Sequence, residues 1–296
     1  MKSVLDFNQQ ELYDEILNLF EDEEEVKEIQ PYRIKQILNW IYNKGSVEFR
    51  MMSNLPKILR EKLSENFIII PVDHIKTAES SDKEAKKYLF RTKDSLNIET
   101  VRIIHPGRDT FCISSMAGCP LNCSFCATAK IGFTRNLSSS EMLGQILYIN
   151  REKPCANIVF MGMGEPLLNT QEVFKVISIL ADKNLLNFSP RRVTISTSGI
   201  VKGIGELINF NKNVNLAVSL NSPFQGEREK LMPVARVNPL KELLNILKKF
   251  NNKCGRFTFE YVILKDLNDS KKHAEAIIKL RNNLDFNLNL ISFNKF

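Results

Sequence analysis

The sequence contains no apolar run long enough to span a bilayer, and its amino terminus lacks the hydrophobic segment of a secretory signal peptide. We therefore expect no membrane segment and a cytoplasmic location. Glycine and proline are scarce, at 12 and 11 of 296 residues, and there is no repeat and no low-complexity tract. The hydrophobic share of 43% and the charged share of 25% are typical of a folded globular protein. A chain of this length forms one large domain, alone or with a small one.

Cysteine and histidine are also few, with six and three residues. Six cysteines in so long a chain do not suggest a disulfide framework, and four of them lie between Cys112 and Cys126. This concentration indicates metal chemistry in a reducing compartment. Cys155 and Cys254 are interpreted as structural residues, and His74, His105 and His273 as surface or strand-end residues.

Three of these cysteines form the pattern Cys119-x3-Cys123-x2-Cys126 in one short segment. Three thiolates without a fourth suit an iron–sulfur cluster in which one iron has no protein ligand. Structural zinc normally has four ligands in two pairs, and the second C-x-x-C is missing here. The spacing favours the cluster, with zinc as the alternative.

Acidic residues are outnumbered by basic ones, 34 to 41, which gives a net charge of +7 and a pI near 9.0. An acidic run at residues 21–25 makes the remainder more basic than the total indicates. This balance is compatible with a polyanionic partner such as RNA. Each basic cluster taken alone is more often a solvated face. The clusters are at residues 57–62, 83–91, 191–192 and 248–249.

Residues 1–70 are predicted to form a small helical domain. Asn8 can cap a first helix, and Pro31 can open a second whose apolar residues share one stripe. Residues 71–107 carry shorter apolar runs separated by turn residues, and they are predicted to form a small antiparallel β extension.

From residue 108 to residue 296, strand patterns and helix patterns alternate. The strand patterns cover 110–115, 157–161, 192–197, 214–220, 256–264 and 286–293. The helix patterns cover 138–150, 171–182, 200–210, 239–250 and 270–283. Five βα pairs and a sixth strand predict a parallel sheet with right-handed crossovers. The predicted fold class is therefore α/β, a partial (β/α)6 barrel with a helical accessory domain at the amino terminus.

Polar segments follow successive strands of this predicted array, at the end where such folds collect functional groups. The cysteine segment follows the first strand. The segment 161–166 follows the second, and in it two glycines permit close approach of a ligand while Glu165 can bind an ammonium group. Segments 196–199, 219–221 and 265–268 follow the next three strands. Together they predict a site for a small zwitterionic cofactor beside the open iron.

The cysteine motif followed by Gly162-Met-Gly-Glu-Pro resembles the pattern of radical S-adenosylmethionine (SAM) enzymes. The wider sequence resembles the RlmN/Cfr RNA adenine methyltransferases, in the stretches that begin at Tyr32, Cys112, Phe125 and Arg192. The resemblance covers nearly the whole chain. The Ser-Thr-Ser-Gly stretch at 196–199 resembles RlmN more than Cfr, which implies methylation at C2 of adenosine rather than at C8.

The resemblance implies a role for each matching position. Cys119, Cys123 and Cys126 would hold a [4Fe–4S] cluster whose open iron binds SAM. The SAM site would be lined by Gly164, Glu165, Ser196, Ser219, Leu220, Asn221 and Asn268. Glu99 would act as the proton acceptor, and Cys112 would help to release the methylated product. The implied partners are 23S rRNA and also tRNA, with flavodoxin or ferredoxin as electron donor, and the implied state is a monomer.

Two positions depart from the family pattern. Asn221 stands where the family commonly has histidine, which is tolerable if the backbone makes the cofactor contact. The family also has a later segment with a cysteine that is methylated first and relays its carbon to the RNA, whereas this sequence ends at Phe296. Cys155 and Cys254 precede their strands and lie at the wrong end to replace it. We therefore expect residues 1–296 alone to bind the cluster and SAM without completing methyl transfer.

Two alternatives remain open from the sequence. The chain could be a remnant that binds RNA and SAM without methylating. It could also be a radical enzyme that acts on a protein or a small molecule, which requires that the helical domain does not bind RNA.

Overall fold

The structure is a computed structural model that describes residues 1–20 and 29–294. The acidic run at residues 21–25 lies outside the described residues. The chain divides into two compact units. The first comprises Met1–Phe111, Ser138–Ala156 and Lys175–Ser189, and the second comprises Cys112–Leu137, Asn157–Phe174 and Pro190–Phe296. The predicted three-part division at residues 1–70, 71–107 and 108–296 stays a prediction.

The first unit contains a helical part near the amino terminus. This part contains α1 (Gln9–Leu17), α2 (Tyr32–Tyr42) and α3 (Lys57–Asn66), and the unit also contains α4 (Ser139–Asn150) from later in the sequence. The predicted cap at Asn8 is confirmed: its side chain accepts from the N–H of Glu11, whose carboxylate accepts in return from the N–H of Asn8. Helix α2 begins directly after Pro31, as predicted. The apolar stripes of both helices are buried, and this burial supplies most of their stability.

The first unit also contains an antiparallel sheet. A short parallel pair joins β1 (Lys2–Ser3) to β2 (Phe67–Ile68). The predicted β extension is present as β3 (Val72–Glu79), β4 (Ala85–Thr92) and β5 (Asn97–Ile103), with β4 in the middle. The turn between β3 and β4 is closed by the N–H of Lys83, which donates to the carbonyl oxygen of Ser80 at 2.9 Å.

The second unit is built on a parallel sheet. The strands of this part of the chain are β6 (Thr110–Cys112, which ends in this unit), β7 (Met116–Gly118), β8 (Phe133–Asn136), β9 (Asn157–Phe160), β10 (Val193–Thr197), β11 (Asn215–Ser219), β12 (Phe257–Ile263) and β13 (Phe286–Ser292). Strands β9 to β13 lie in sequence order and every pair is parallel. Among the described strands β9 and β13 do not pair with each other. The predicted partial barrel is confirmed.

Helices connect the strands of the second unit. They are α5 (Thr170–Ala181, which enters the unit as far as Phe174), α6 (Val201–Asn209), α7 (Gln225–Leu231), α8 (Leu240–Cys254) and α9 (Lys271–Leu280). Helix α7 and the antiparallel hairpin β7–β8 were not predicted, because each is short and neither carries a clear apolar period. In the part of the chain that the structure describes, no helix is both long and apolar enough to cross a membrane.

The interpretation of His273 as a surface residue is wrong. Its ring is buried in the second unit, where Nε2 lies 2.7 Å from Glu227 Oε2 and Nδ1 lies 2.7 Å from Ser270 Oγ. Both ring nitrogens therefore have partners, which is what makes burial of an imidazole tolerable. Its sequence neighbours are lysine and alanine, so nothing local marked the position as buried.

Candidate active site

The cysteine loop is held in place by the backbone on both sides. The N–H of Cys119 donates to the carbonyl oxygen of Gly132 at 2.8 Å, and the N–H of Ser124 donates to the carbonyl oxygen of Leu231 at 3.0 Å. Gly118 has φ +82°, and a Cβ atom there would collide with the carbonyl group of Gly132. Only glycine allows this close approach, so the loop conformation is fixed by sequence as well as by hydrogen bonds.

The three motif cysteines are free thiols of intermediate burial. Burial is the main cause that raises the pKa of Cys119 to about 11 and that of Cys123 to about 12, and the neighbouring motif cysteines make smaller contributions to these values. Among the described residues no three His, Cys, Asp or Glu side chains converge as ligands of a single metal ion. The thiolates of a cluster bind different irons and need no common centre. Three free thiols in one short loop are a donor set that fits a cluster held by Cys119, Cys123 and Cys126.

The segment after β9 packs against the chain that leads into the cysteine loop. The N–H of Met163 donates to Ser114 Oγ at 2.9 Å, and the N–H of Ser115 donates to the carbonyl oxygen of Met163 at 2.9 Å. Gly164 has φ +105°, and a Cβ atom there would lie 2.6 Å from Cβ of Met116. The predicted cofactor segment and the cysteine loop are thus joined in one packed arrangement.

Glu165 is buried, with 1% of its surface exposed. One carboxylate oxygen accepts from the N–H of Leu167 at 3.1 Å, and the other accepts from the N–H of Ser198 at 2.7 Å. Burial raises the pKa of this carboxyl group, and the hydrogen bonds from Ser198, Thr197 and Leu167 lower it. A carboxylate has about four acceptor positions, so capacity remains for an ammonium group. The ammonium contact stays a prediction.

Ser198 connects the two loops, and the sequence reasoning placed it in a polar segment without assigning it a role. Its N–H donates to Glu165, its carbonyl oxygen accepts from Arg228 at 2.5 Å, and its side chain lowers the pKa of the neighbouring Cys123 thiol. Ser196 lies two residues earlier on β10 and is half-buried. The sequence feature that could have indicated a role for Ser198 is a strand end with two serines and a glycine. Small polar side chains there leave the backbone accessible for hydrogen bonds.

Two of the predicted cofactor residues have their side chains engaged within the fold. Asn268 donates through Nδ2 to the carbonyl oxygens of Asn221 and Val262, both at 2.8 Å, and its Oδ1 accepts from the N–H of Leu264 at 2.7 Å. Asn221 has φ +53°, a conformation that asparagine tolerates, and its Oδ1 accepts from the N–H of Val262 at 2.8 Å. These bonds give a structural reason for asparagine at position 221.

The other predicted positions lie on strand ends. Ser219 ends β11 and is half-buried, and Leu220 is fully buried with its N–H donated to the carbonyl oxygen of Glu260 at 2.9 Å. Asn294 follows β13 and is exposed, which makes it a further candidate that the sequence reasoning overlooked. The feature that could have identified Asn294 from the sequence is its position directly after the last strand of a parallel array.

The two predicted catalytic residues belong to different units. Cys112 ends β6, and burial raises the pKa of its thiol to about 11, opposed by a backbone hydrogen bond from Met161. Glu99 lies on β5 of the first unit and forms an ion pair of 3.1 Å with Lys87, with both side chains about half exposed. The roles of Cys112 and Glu99 stay predictions.

Comparison with known protein families decides the classification. The model of the radical SAM superfamily matches residues 113–277, more than half of the chain. A model described as the ribosomal RNA large subunit methyltransferase N-terminal domain matches residues 3–69. The chain belongs to the RlmN family. This superfamily uses a [4Fe–4S] cluster and SAM, which agrees with the donor set of the cysteine loop.

Individual RlmN relatives match across most of the chain. The probable dual-specificity RNA methyltransferase RlmN of Aquifex aeolicus is 44% identical over 274 residues, which cover 90% of this chain and 78% of the relative. The dual-specificity RNA methyltransferase RlmN of Geotalea uraniireducens is 42% identical, with coverage of 89% and 77%. The crystal structure of a radical SAM methyltransferase from Sphaerobacter thermophilus superposes with a TM-score of 0.92 at 36% identity, covering all of this chain and 86% of that one.

Proposed function

We propose that residues 1–296 supply the cluster and SAM sites of an RlmN-type enzyme that methylates C2 of adenosine in 23S rRNA, and that tRNA is a second substrate. The observation that carries the proposal is the junction at Ser198, where a cluster thiol and the buried carboxylate of Glu165 meet. This junction supports binding of SAM at an open iron in a chain whose amino-terminal part matches an rRNA methyltransferase domain. Several relatives are named dual-specificity RNA methyltransferases, and this supports the second substrate.

The chemistry explains why a cluster is needed. C2 of adenine is not nucleophilic, so direct polar transfer of a methyl group fails. When bound, the cluster supplies one electron to SAM and so opens radical chemistry to this carbon. The chain's own residues would hold the cluster and SAM and shield them from water. The thiols of Cys119, Cys123 and Cys126 would ligate the cluster, Glu165 would orient the amino acid portion of SAM, and the packed loop after β9 would exclude water.

In this proposal Glu99 accepts the proton from C2, and Cys112 takes part in release of the product. Loss of the C2 hydrogen requires a base, and Glu99 is a carboxylate beside the cation of Lys87. Cys112 supplies a thiol for product release, and its raised pKa means that it is protonated at neutral pH. We propose flavodoxin or ferredoxin as the one-electron donor and a monomer as the working state.

The function is tested by complementation. The gene's whole reading frame is expressed in a bacterium that lacks C2-methylated adenosine, and the nucleosides of purified 23S rRNA and tRNA are measured by mass spectrometry. We expect C2-methyladenosine in both RNAs with the wild-type gene and in neither with Cys123→Ala. The exposed Cys254→Ala serves as the matched control and should keep activity. Methylation at C8, or of neither RNA, would contradict the proposal.

A further inference from the structure

Arg228 of helix α7 is a fully buried charge with an incomplete set of partners. Its Nη2 donates to the carbonyl oxygens of Ser198 at 2.5 Å and Ser219 at 3.3 Å. Its Nε and Nη1 atoms are buried and have no hydrogen-bond partner in the part of the chain that the structure describes. Burying a guanidinium without an anion costs several kcal/mol, so an anion is expected to compensate it.

No carboxylate of the described residues fills that role. Glu227, the neighbour of Arg228 in α7, is engaged by His273 and by Ser222, whose Oγ lies 2.7 Å from the same carboxylate oxygen. Glu165 accepts from the backbone of Leu167 and Ser198. Burial lowers the pKa of the Arg228 guanidinium to about 10, and Cys123, when ionised, would oppose this effect.

Helix α7 contacts the cysteine loop at two places. The carbonyl oxygen of Leu231, the last residue of the helix, accepts from the N–H of Ser124, directly after Cys123. Ser198 accepts from Arg228 through its carbonyl oxygen, and its side chain lowers the pKa of the neighbouring Cys123 thiol. Arg228 is therefore linked to the cysteine loop through Ser198, and its helix is linked to the same loop through Leu231, three residues further along α7.

We infer that Arg228 is a positioning residue whose buried charge compensates the negative charge of the thiolate-ligated cluster and thereby sets its reduction potential. The inference rests on the proposed function for the presence of the cluster. The reduced cluster carries one more negative charge than the oxidised cluster. A buried cation stabilises the reduced state more, because Coulomb interactions are strong in a low-dielectric interior. Burial and local charge are known determinants of cluster potentials.

The test measures the reduction potential of the reconstituted chain by a titration that is followed with electron paramagnetic resonance, first without SAM and then with it. We expect Arg228→Met to lower the midpoint potential. A tenfold weaker reduction equilibrium corresponds to 59 mV for one electron, and the expected shift is on this order. Arg228→Lys keeps the charge and should restore most of the potential. Lys230→Met removes an exposed charge from the same helix and should leave the potential unchanged.

Iron and sulfide content and thermal unfolding are measured for each variant, so that a loading defect is not mistaken for a shift. If Arg228→Met does not hold a cluster, protein labelled with ¹⁵N-arginine decides the matter. The reduced wild-type protein should show a weak nitrogen coupling to the cluster that Arg228→Lys lacks, and absence of this coupling overturns the inference.

Two other outcomes also overturn it. Equal potentials in fully loaded wild-type, Arg228→Met and Arg228→Lys proteins would assign Arg228 to backbone support alone. A shift in midpoint potential that appears only with SAM present would show that the charge of Arg228 pairs with the carboxylate of SAM rather than with the cluster. The potentials are measured without RNA, so a missing methylation product affects the proposed function and leaves this result standing.

Discussion

At the scale of single residues, the site depends on close backbone approaches and on buried polar groups whose partners are supplied from distant parts of the sequence. Gly164 and Asn268 illustrate the two cases. At Gly164, Met116 occupies the space that a side chain would need. The side-chain amide of Asn268 forms hydrogen bonds with three backbone groups. Each makes a separate prediction about stability and SAM binding.

Gly164→Ala should destabilise the protein by about 1–3 kcal/mol and weaken SAM binding, because the added Cβ meets Met116 and the positive φ disfavours alanine. Urea unfolding and equilibrium SAM binding to the reconstituted protein provide the measurements. Gly226→Ala is the matched control, since nothing lies within 4 Å of a Cβ at that helical position. Its stability should be equal or higher. Equal stability of both variants would show that Met116 yields without cost.

Asn268→Ala should lower the free energy of unfolding by about 1–3 kcal/mol for each buried group left unpaired, namely the carbonyl oxygens of Asn221 and Val262 and the N–H of Leu264. The shift in urea midpoint measures this, and the exposed Asn282→Ala is the control. A variant of wild-type stability that fails to bind SAM would instead identify the amide as a cofactor contact.

At the scale of elements, the cysteine loop has a pH dependence that follows from its burial. Without iron, the thiols of Cys119 and Cys123 have pKa values raised to about 11 and 12, so both are protonated at neutral pH. Ligation requires thiolates, and loading must therefore release protons.

Anaerobic reconstitution in weakly buffered solution should accordingly acidify the medium, and loading should become faster as pH rises from 7 toward 9. The measurements are the absorbance of a pH indicator and the rate of cluster formation. Cys254→Ala should release the same number of protons as wild type, whereas Cys123→Ala should fail to load. A rate that does not change with pH would show that the thiols are already ionised before iron arrives.

The elements of the parallel array could be predicted because each of its strands and longer helices carries a clear apolar period over enough residues. Helix α7 could not, since Leu231 is the one apolar residue within Gln225–Leu231. The same helix holds Arg228, whose burial follows from contacts with strand ends far away in sequence. The motif spacing predicted the cysteine ligands, but no spacing could predict the junction at Ser198, which exists only after the loops pack.

At the scale of the whole molecule, the protein has a net charge of +7, and the backbone of its proposed RNA substrate is uniformly negative. Binding to RNA through lysine and arginine releases counterions, so affinity depends steeply on salt. This property separates an RNA enzyme from the alternative reading as a radical enzyme for a protein or small molecule.

Affinity of the chain for a structured 23S rRNA fragment should fall roughly tenfold or more between 50 and 200 mM salt, with a linear relation between the logarithms of affinity and salt concentration. Filter binding or fluorescence anisotropy gives the slope. Binding of SAM to the same preparation is the control and should change little. A flat slope for RNA would favour the non-RNA substrate.

The anchored cysteine loop bears on how the cell assembles this enzyme. Its backbone is held by Gly132 on one side and Leu231 on the other, through bonds that involve no thiol, and the three thiols remain partly open to solvent. The polypeptide can therefore finish folding first and receive its iron and sulfide afterwards from a carrier protein. Biogenesis then has two separable stages, folding of the polypeptide and loading of the cluster.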